Sequence, residues 1–475
     1  MSTNMVYYSI EADIPLSLSE KLMDFVLRRY LQLHREEIVN VSRDAVDGYP
    51  SLILTVSSNG ERALLIQLRG SRPLRLGIMM LDQGVPQERA DLVRQDISII
   101  INFFEERIRR STLYFAWREG EEIVPEKTGG GGDSPFNRLF LETQVLLFIG
   151  FVVLSIFIIQ VVGVLTPIFI LLAQLVVVMY SNKFVARIGD WRITERNPSI
   201  HFMEYQLPLE EGERLRQSLV GERLMELKRE VYERTIRLNG QIDCDTAHQV
   251  FSRFGLECRP ENMGSREINV YGLVKRAADK FGFPMPEVVV SNSTRPNAAA
   301  SGPWPSRGVV LITTGLLVQL NEDEILSVLG HEFGHLKGHD PLFLYGLTAA
   351  QYLLLYYFGF QFISSSLLFF FAYFWLSSVI LYFIAKFFEY KADLISIMIV
   401  GQPRVFAAAL EKIGFRMLLL ERMPLFRIQE WLSLDPHPPT YFRIGQLEKI
   451  RDSVRISHPL LQAVRDVTHG FLSSF

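Results

Sequence analysis

The chain has 475 residues, 48% of them hydrophobic and 12% aromatic, and its 49 Lys and Arg against 52 Asp and Glu leave a formal charge of -3. This balance excludes a disordered polymer, a collagen-like repeat and a strongly basic nucleic-acid binder. Two cysteines, Cys244 and Cys258, are too few for a disulfide framework or a four-thiolate zinc site, which suits a reducing compartment or a fold independent of oxidation.

The N-terminus, MSTNMVYYSIEADI, has neither a basic n-region nor an apolar h-region, so no signal peptide is expected. Residues 1–127 read as a small α+β accessory domain. Ser17 caps a helix that runs to Leu31, SLILTVSSNGERALLIQL makes two strands about an Asn59-Gly60 turn, and an amphipathic helix runs from Gln87 to Arg110. No catalytic constellation is legible there; a protein partner or regulator is one role open to it. TGGGGDSP makes 128–137 a flexible linker.

Between Glu142 and Lys183 lie 40 residues without Asp, Glu, Lys or Arg, and between Asp340 and Lys386 another 45. As one helix, the shorter stretch would extend roughly 60 Å, about twice the hydrocarbon core of a bilayer. Each is therefore expected to cross twice, turning near Gly163 and Pro167 in the first and near Gly359 and Ser364 to Ser366 in the second. A single tilted span or a very apolar core is the alternative for each. Transmembrane hairpins at 138–182 and 341–385 then divide a catalytic domain into a first part, 183–340, and a second, 386–475. The expected fold is a mainly α polytopic membrane protein with about four crossings. Arg138, Lys183, Arg187, Arg192, Arg196, Lys386 and Lys391 flank the outer hairpin ends, and the connecting turns carry no Lys or Arg. The positive-inside bias places the termini and all large hydrophilic segments in the cytoplasm, as in a multi-pass protein of an inner or plasma membrane.

In 183–340, charged helices are expected from Glu210 to Leu238 and from Ile268 to Lys280, followed by a buried strand in MPEVVVSN. Strands at Asn297–Ala300 and Val309–Thr313 come next. Asn321, with Glu324 three residues on, has the signature of a capping box. The helix it opens contains His331-Glu332-Phe333-Gly334-His335, the HExxH pattern. Four-residue spacing puts both imidazoles on one helical face within reach of one metal ion, with Glu332 beside the open position as general base. The competing reading is a surface helix with two solvated histidines. A third ligand is needed. His339 continues the same row, but three successive turns of one straight helix would strain tetrahedral geometry. Glu389, four residues after the second apolar stretch, is preferred, because an even number of crossings returns the chain to its starting side. Asp393, one turn further, suits an acceptor that orients a ligating imidazole. A charged helix end at the membrane surface is the bland reading of both carboxylates.

These residues resemble the membrane-embedded zinc metalloprotease family that includes HtpX and the CAAX prenyl proteases. The resemblance runs from about Val288 to Leu447 through PNAAASG, ITTGLL…EDEILSVLGHEFGH, EYKAD and HPPTYFRI. It implies a gluzincin-type α+β domain at the cytoplasmic face, one Zn²⁺ per chain held by His331, His335 and Glu389, and Glu332 as base. It also implies a substrate strand at Asn297, Ala298 and Ala300, His437 as an oxyanion donor, and Arg443 near the site. Two hairpins favour the HtpX-like arrangement, but residues 1–127 have no counterpart in it. The expected function is a membrane-bound zinc endopeptidase acting on membrane or unfolded polypeptides, with the lipid bilayer as surroundings and no nucleic acid. A processing protease for lipidated peptides and an inactive scaffold with structural zinc are the alternatives.

Overall fold

The computed structural model of the chain describes residues 5–34, 37–58, 61–82, 84–127, 157–158, 160–207, 219, 221–238, 240–359, 366–450 and 456–475. Most of the described chain is helical. It divides into two compact units, one formed by Met1–Tyr114, Glu204–Leu224 and Cys258–Gly264, the other by Phe115–Met203, Met225–Glu257 and Ser265–Phe475.

In the first unit, β1 (Val6–Ile10), α1 (Ser19–Leu33), β2 (Ile38–Val46), β3 (Tyr49–Ser58), β4 (Glu61–Arg69), β5 (Leu74–Met80) and α2 (Gln87–Arg110) follow in order. The strands form one antiparallel sheet ordered β1-β5-β4-β3-β2. Residues two apart on a strand share a face. Accordingly Leu52, Leu54 and Val56, then Leu64, Ile66 and Leu68, then Leu74, Leu76 and Ile78, all enter one core. Leu22, Val26 and Tyr30, four apart on α1, and Val93, Ile97, Ile101 and Phe104 on α2 complete it. Ser17 lies in a 3-10 turn, Leu16–Leu18, and no side chain caps α1. Residues Phe115 to Lys127 lie in the second unit, although the sequence reads them with the first. There Lys127 donates its N–H to Asn292 O at 2.7 Å, and the fully buried Lys228 ammonium donates to Val124 O at 2.6 Å.

The second unit holds α3 (Thr166–Met179), α4 (Ser181–Ile188), β6 (Trp191–Ile193), α5 (Glu222–Arg234), α6 (Cys244–Arg253), α7 (Val270–Phe281), β7 (Glu287–Ser291), β8 (Ala298–Ser301) and β9 (Val309–Thr313). Next come α8 (Thr314–Gln319), α9 (Glu322–Gly338), α10 (Asp340–Leu354), α11 (Leu367–Ile399), α12 (Pro403–Leu420), α13 (Pro424–Trp431), α14 (Thr440–Lys449) and α15 (Pro459–Leu472). A four-stranded sheet runs β8-β9-β7-β6, parallel only between β7 and β9, so β8 pairs with a strand on one side alone among the described residues. Both cysteines are disulfide-bonded.

One helical stretch among the described residues, Phe371–Ile399 in α11, is alone long and apolar enough to cross a membrane. The pair α3 and α4, bent by 53°, passes together. α10 lies against both apolar elements: Tyr345 donates to Leu171 O at 2.9 Å, and Gln351 donates to Ser377 and Ser378 at 3.1 and 3.2 Å. The expected first crossing of the first hairpin and the turn at 360–365 lie outside the described residues.

α9 carries a stripe of small residues toward α11. A Cβ on Gly334 would stand 3.0 Å from both Cα and O of Ala392, and one on Gly330 would stand 2.6 Å from Ser396 Oγ and Val400 Cγ2. Small residues let two helix backbones approach this closely. Replacing Gly334 with Val should overpack the contact and cost about 1–3 kcal/mol, read as a lower denaturant midpoint with an unchanged slope. Wild-type stability would mean that the helices do not meet there.

Candidate metal centre

Asn321 caps α9 with a full capping box: its side chain accepts from Glu324 N–H at 2.9 Å, and Glu324 accepts from Asn321 N–H at 2.9 Å. The helix so fixed presents His331 and His335 one turn apart, both facing α11. His331 Nε2 and His335 Nε2 stand 3.2 Å apart, and Glu389 Oε2 of α11 lies 3.4 Å from the first and 3.6 Å from the second.

Ligands about 2.0–2.1 Å from a tetrahedral ion sit roughly 3.3–3.5 Å from one another, so these separations fit zinc. The remaining ring nitrogens each face a carboxylate. His331 Nδ1 is 2.7 Å from Asp393 Oδ1, and His335 Nδ1 is 3.0 Å from Asp340 Oδ2. A carboxylate only accepts, so His335 Nδ1 donates to Asp340 and its Nε2 turns a lone pair to the shared point, while His331 Nδ1 stands at ion-pair distance from Asp393. Glu389 Oε2 is buried there without a hydrogen-bond partner. Two facing imidazole nitrogens and a buried carboxylate oxygen are costly to bring together unless a cation satisfies all three. Burial by itself would lower the imidazole pKa values, but the charge of Asp393 beside His331 and of Glu389 beside His335 prevails, holding both above the ordinary histidine value, His335 well above. The pocket thus favours positive charge.

Around this point the other expected residues take distinct places. Glu332 Oε2 accepts from Ala300 N–H at 2.9 Å, which sets the carboxylate against the outer edge of β8. Ala298, two residues before Ala300, turns the same backbone edge outward. Asn297 precedes the strand and is tied by its backbone, donating to Thr313 Oγ1 at 2.8 Å and accepting from Thr313 N–H at 3.0 Å. Arg443 of α14 grips Asp393 with two bonds of 2.8 and 2.6 Å. His437 Nε2 lies 3.3 Å from Glu389 Oε2 on an imidazole half exposed to solvent, and its Nδ1 is held by Asp435 at 2.8 Å.

Two features escape a reading of the sequence. His339 ends α9 in the left-handed region at φ 53° and is exposed, so the row from His331 through His335 stops before it. That break starts α10 at Asp340, whose buried carboxylate reaches back to His335 and also accepts from Lys391 of α11. The available signal was a last charge, five residues past His335, at the mouth of an apolar stretch.

Comparison with known proteins finds a peptidase domain over the stretch of chain that contains these residues. Residues 265–451 match the model of peptidase family M48. A protease HtpX homolog of Thermodesulfovibrio yellowstonii is 40% identical over 85 residues, 17% of this chain and 30% of that protein. One of Gemmatimonas aurantiaca is 28% identical over 211 residues, 38% of this chain and 75% of that protein. The chain thus spans less than a third of the first relative and three quarters of the second. The crystal structure of Ste24p from S. mikatae aligns with a TM-score of 0.30 at 18% identity, over 37% of this chain and 49% of that one. Residues 265–451 of the chain are thus similar to the peptidase family M48 domain, and parts of it to protease HtpX homologs.

Proposed function

We propose that the chain is a membrane-bound zinc endopeptidase that cleaves membrane or unfolded polypeptides, as in HtpX-like quality control. The observation that carries the reading is the convergence of His331, His335 and Glu389 beside Glu332 and the outer edge of β8. When bound, zinc supplies Lewis-acid polarisation of the scissile carbonyl and makes water a nucleophile near neutral pH. The protein's own groups do the rest. A substrate backbone adds to the outer edge of β8, at Ala298 and Ala300, and so lies along α9. Glu332 takes the proton of the attacking water and hands it to the leaving amine. His437, exposed at the rim, donates to the developing oxyanion. Arg443 fixes Asp393, and Asp393 fixes the ring of His331. A purely structural zinc would call for a fourth protein ligand, whereas three groups converge among the described residues.

The membrane reading is supported by the outward face of the apolar helices: Phe169 and Leu172 on α3, Phe343 on α10, and Trp375, Leu376 and Ile380 on α11 are all exposed. Water penalises such a surface and lipid does not. Four crossings in two hairpins follow if the segment before α3 spans as well. We place the site at the cytoplasmic face, on Lys183, Arg187, Arg192 and Arg196. Lys386 and Lys391 no longer count toward that orientation, because both are buried and bonded inside the protein, to Asp435 O and Asp340. Cysteine at the exposed Lys280 position (Lys280→Cys) should react with a membrane-impermeant maleimide in inside-out vesicles and stay unlabelled in right-side-out ones. The reverse pattern would move the site to the other face.

Glu332→Gln should retain zinc and lose roughly 10²–10⁴-fold in kcat on an unfolded protein substrate; equal turnover would remove Glu332 from the reaction. Asp340→Asn should weaken zinc roughly 10–100-fold in competition with a chelator. Unchanged affinity would leave Asp340 without influence on His335.

A further inference from the structure

Helix α15 divides its circumference into three. Ala463 and Val467 are buried, and Phe471 packs its ring on Phe383 of α11 at 5.1 Å and on Trp431 at 6.1 Å. At about 100° per residue, Leu460 and Val464 stand on either side of Phe471 at the rim of this packed face, and Leu461 and Leu472 fall in the sector next to it. They are nevertheless exposed, Leu461 to 67% and Leu472 to 65%. Arg465 and His469, also exposed, occupy the sector beyond. A helix that met only protein and water would gain nothing from an exposed apolar sector between them.

Continuity identifies what covers that sector. Phe383 is one helical turn from Ile380, which shares the exposed apolar side of α11 with Trp375 and Leu376. The apolar sector of α15 therefore extends the surface that α11 turns outward. We propose that α15 lies in the membrane interface, with Leu460, Leu461, Val464 and Leu472 among acyl chains and Arg465 and His469 at the headgroups; its partner is the lipid bilayer. The inference rests on the reading of α11 as a membrane span. It bears on the metal centre through a run of rings. Phe471 meets Trp431, Trp431 meets Phe442 at 5.2 Å, and Phe442 meets Tyr390 at 5.3 Å, next to Glu389. The depth of α15 in lipid thereby sets the height of the site above the bilayer.

The test places single nitroxide labels on the full chain at Leu461→Cys and Leu472→Cys, with Leu376→Cys of α11 as lipid reference and Arg465→Cys as water reference. The native cysteines are disulfide-bonded and take no label. In phosphatidylethanolamine and phosphatidylglycerol vesicles, oxygen should relax the labels at 461, 472 and 376 severalfold more than a water-soluble nickel chelate does, with the opposite order at 465. Preference for nickel at 461 and 472, while 376 still prefers oxygen, would overturn the interfacial helix and leave the span intact. Shielding of 461 and 472 from both reagents would overturn it in favour of a protein partner or a second copy. Preference for nickel at 376 would overturn the span and this inference with it.

Discussion

The close contact between α9 and α11 is the constraint on which the rest of the molecule depends. The first two metal-facing atoms are local to one helix, but the third arrives only after the chain has left through α10 and returned along α11. Gly330 and Gly334, opposite Ser396 and Ala392, allow the two backbones to meet at the level where Glu389 can reach both imidazoles. A larger side chain on either glycine would push α11 outward, and a ligand set with separations of 3.2 to 3.6 Å leaves little room for displacement. The glycines are therefore as much a part of the site as the histidines, although they touch no reacting group.

Buried charge is the second consequence of this design. α11 is apolar over most of its length, yet near its end it presents Lys386, Glu389, Lys391 and Asp393, all mostly or fully buried. Three of them find partners on other elements, Lys386 at Asp435 O, Lys391 at Asp340, Asp393 at Arg443 and His331, and Glu389 faces the two imidazoles. Removing one member of such a pair costs about 3–5 kcal/mol because the other is left buried and uncompensated. The pairs thus tie α9, α10, α11, α14 and the loop that carries His437 to one centre, and make that centre intolerant of piecemeal change.

What could be read from the sequence follows the range of the interactions involved. The capping box at Asn321 and Glu324 and the spacing of His331 and His335 are set within a single turn, so residue type and interval suffice. Glu389 was accessible by a topological argument alone: a carboxylate just past an apolar excursion returns to its origin if the crossings are even. Asp340 was not, because its approach to His335 depends on the left-handed turn at His339, a conformation that histidine adopts uncommonly and that no pattern announced. The burial of Lys386 and Lys391 was equally hidden. Beside an apolar stretch, lysines ordinarily mark the membrane surface, and only the folded positions of Asp340 and Asp435 turn them inward. In the first unit, the one-residue shift of the first helix's cap from Ser17 to Leu18 arises from a 3-10 turn after Pro15, which satisfies the local backbone without the serine.

The charges at the centre can be closed against one another. With both imidazoles neutral, the groups that touch them or stand beside them are Glu332, Glu389, Asp393 and Asp340, four carboxylates, and the cations bonded to these are Arg443 on Asp393 and Lys391 on Asp340. Two carboxylates therefore have their own fixed cation and two, Glu389 and Glu332, do not. In a site this buried, an uncompensated charge is expensive, and the raised pKa of His335, beside Glu389 and Glu332, is the form the imbalance takes when protons alone answer it. A divalent cation at the point where His331 Nε2, His335 Nε2 and Glu389 Oε2 meet would match the two remaining negative charges in number. A monovalent ion would leave one carboxylate unanswered. Arg443 and Lys391, by cancelling Asp393 and Asp340, thus leave Glu389 and Glu332 as the carboxylates whose charge a cation at the candidate centre would answer.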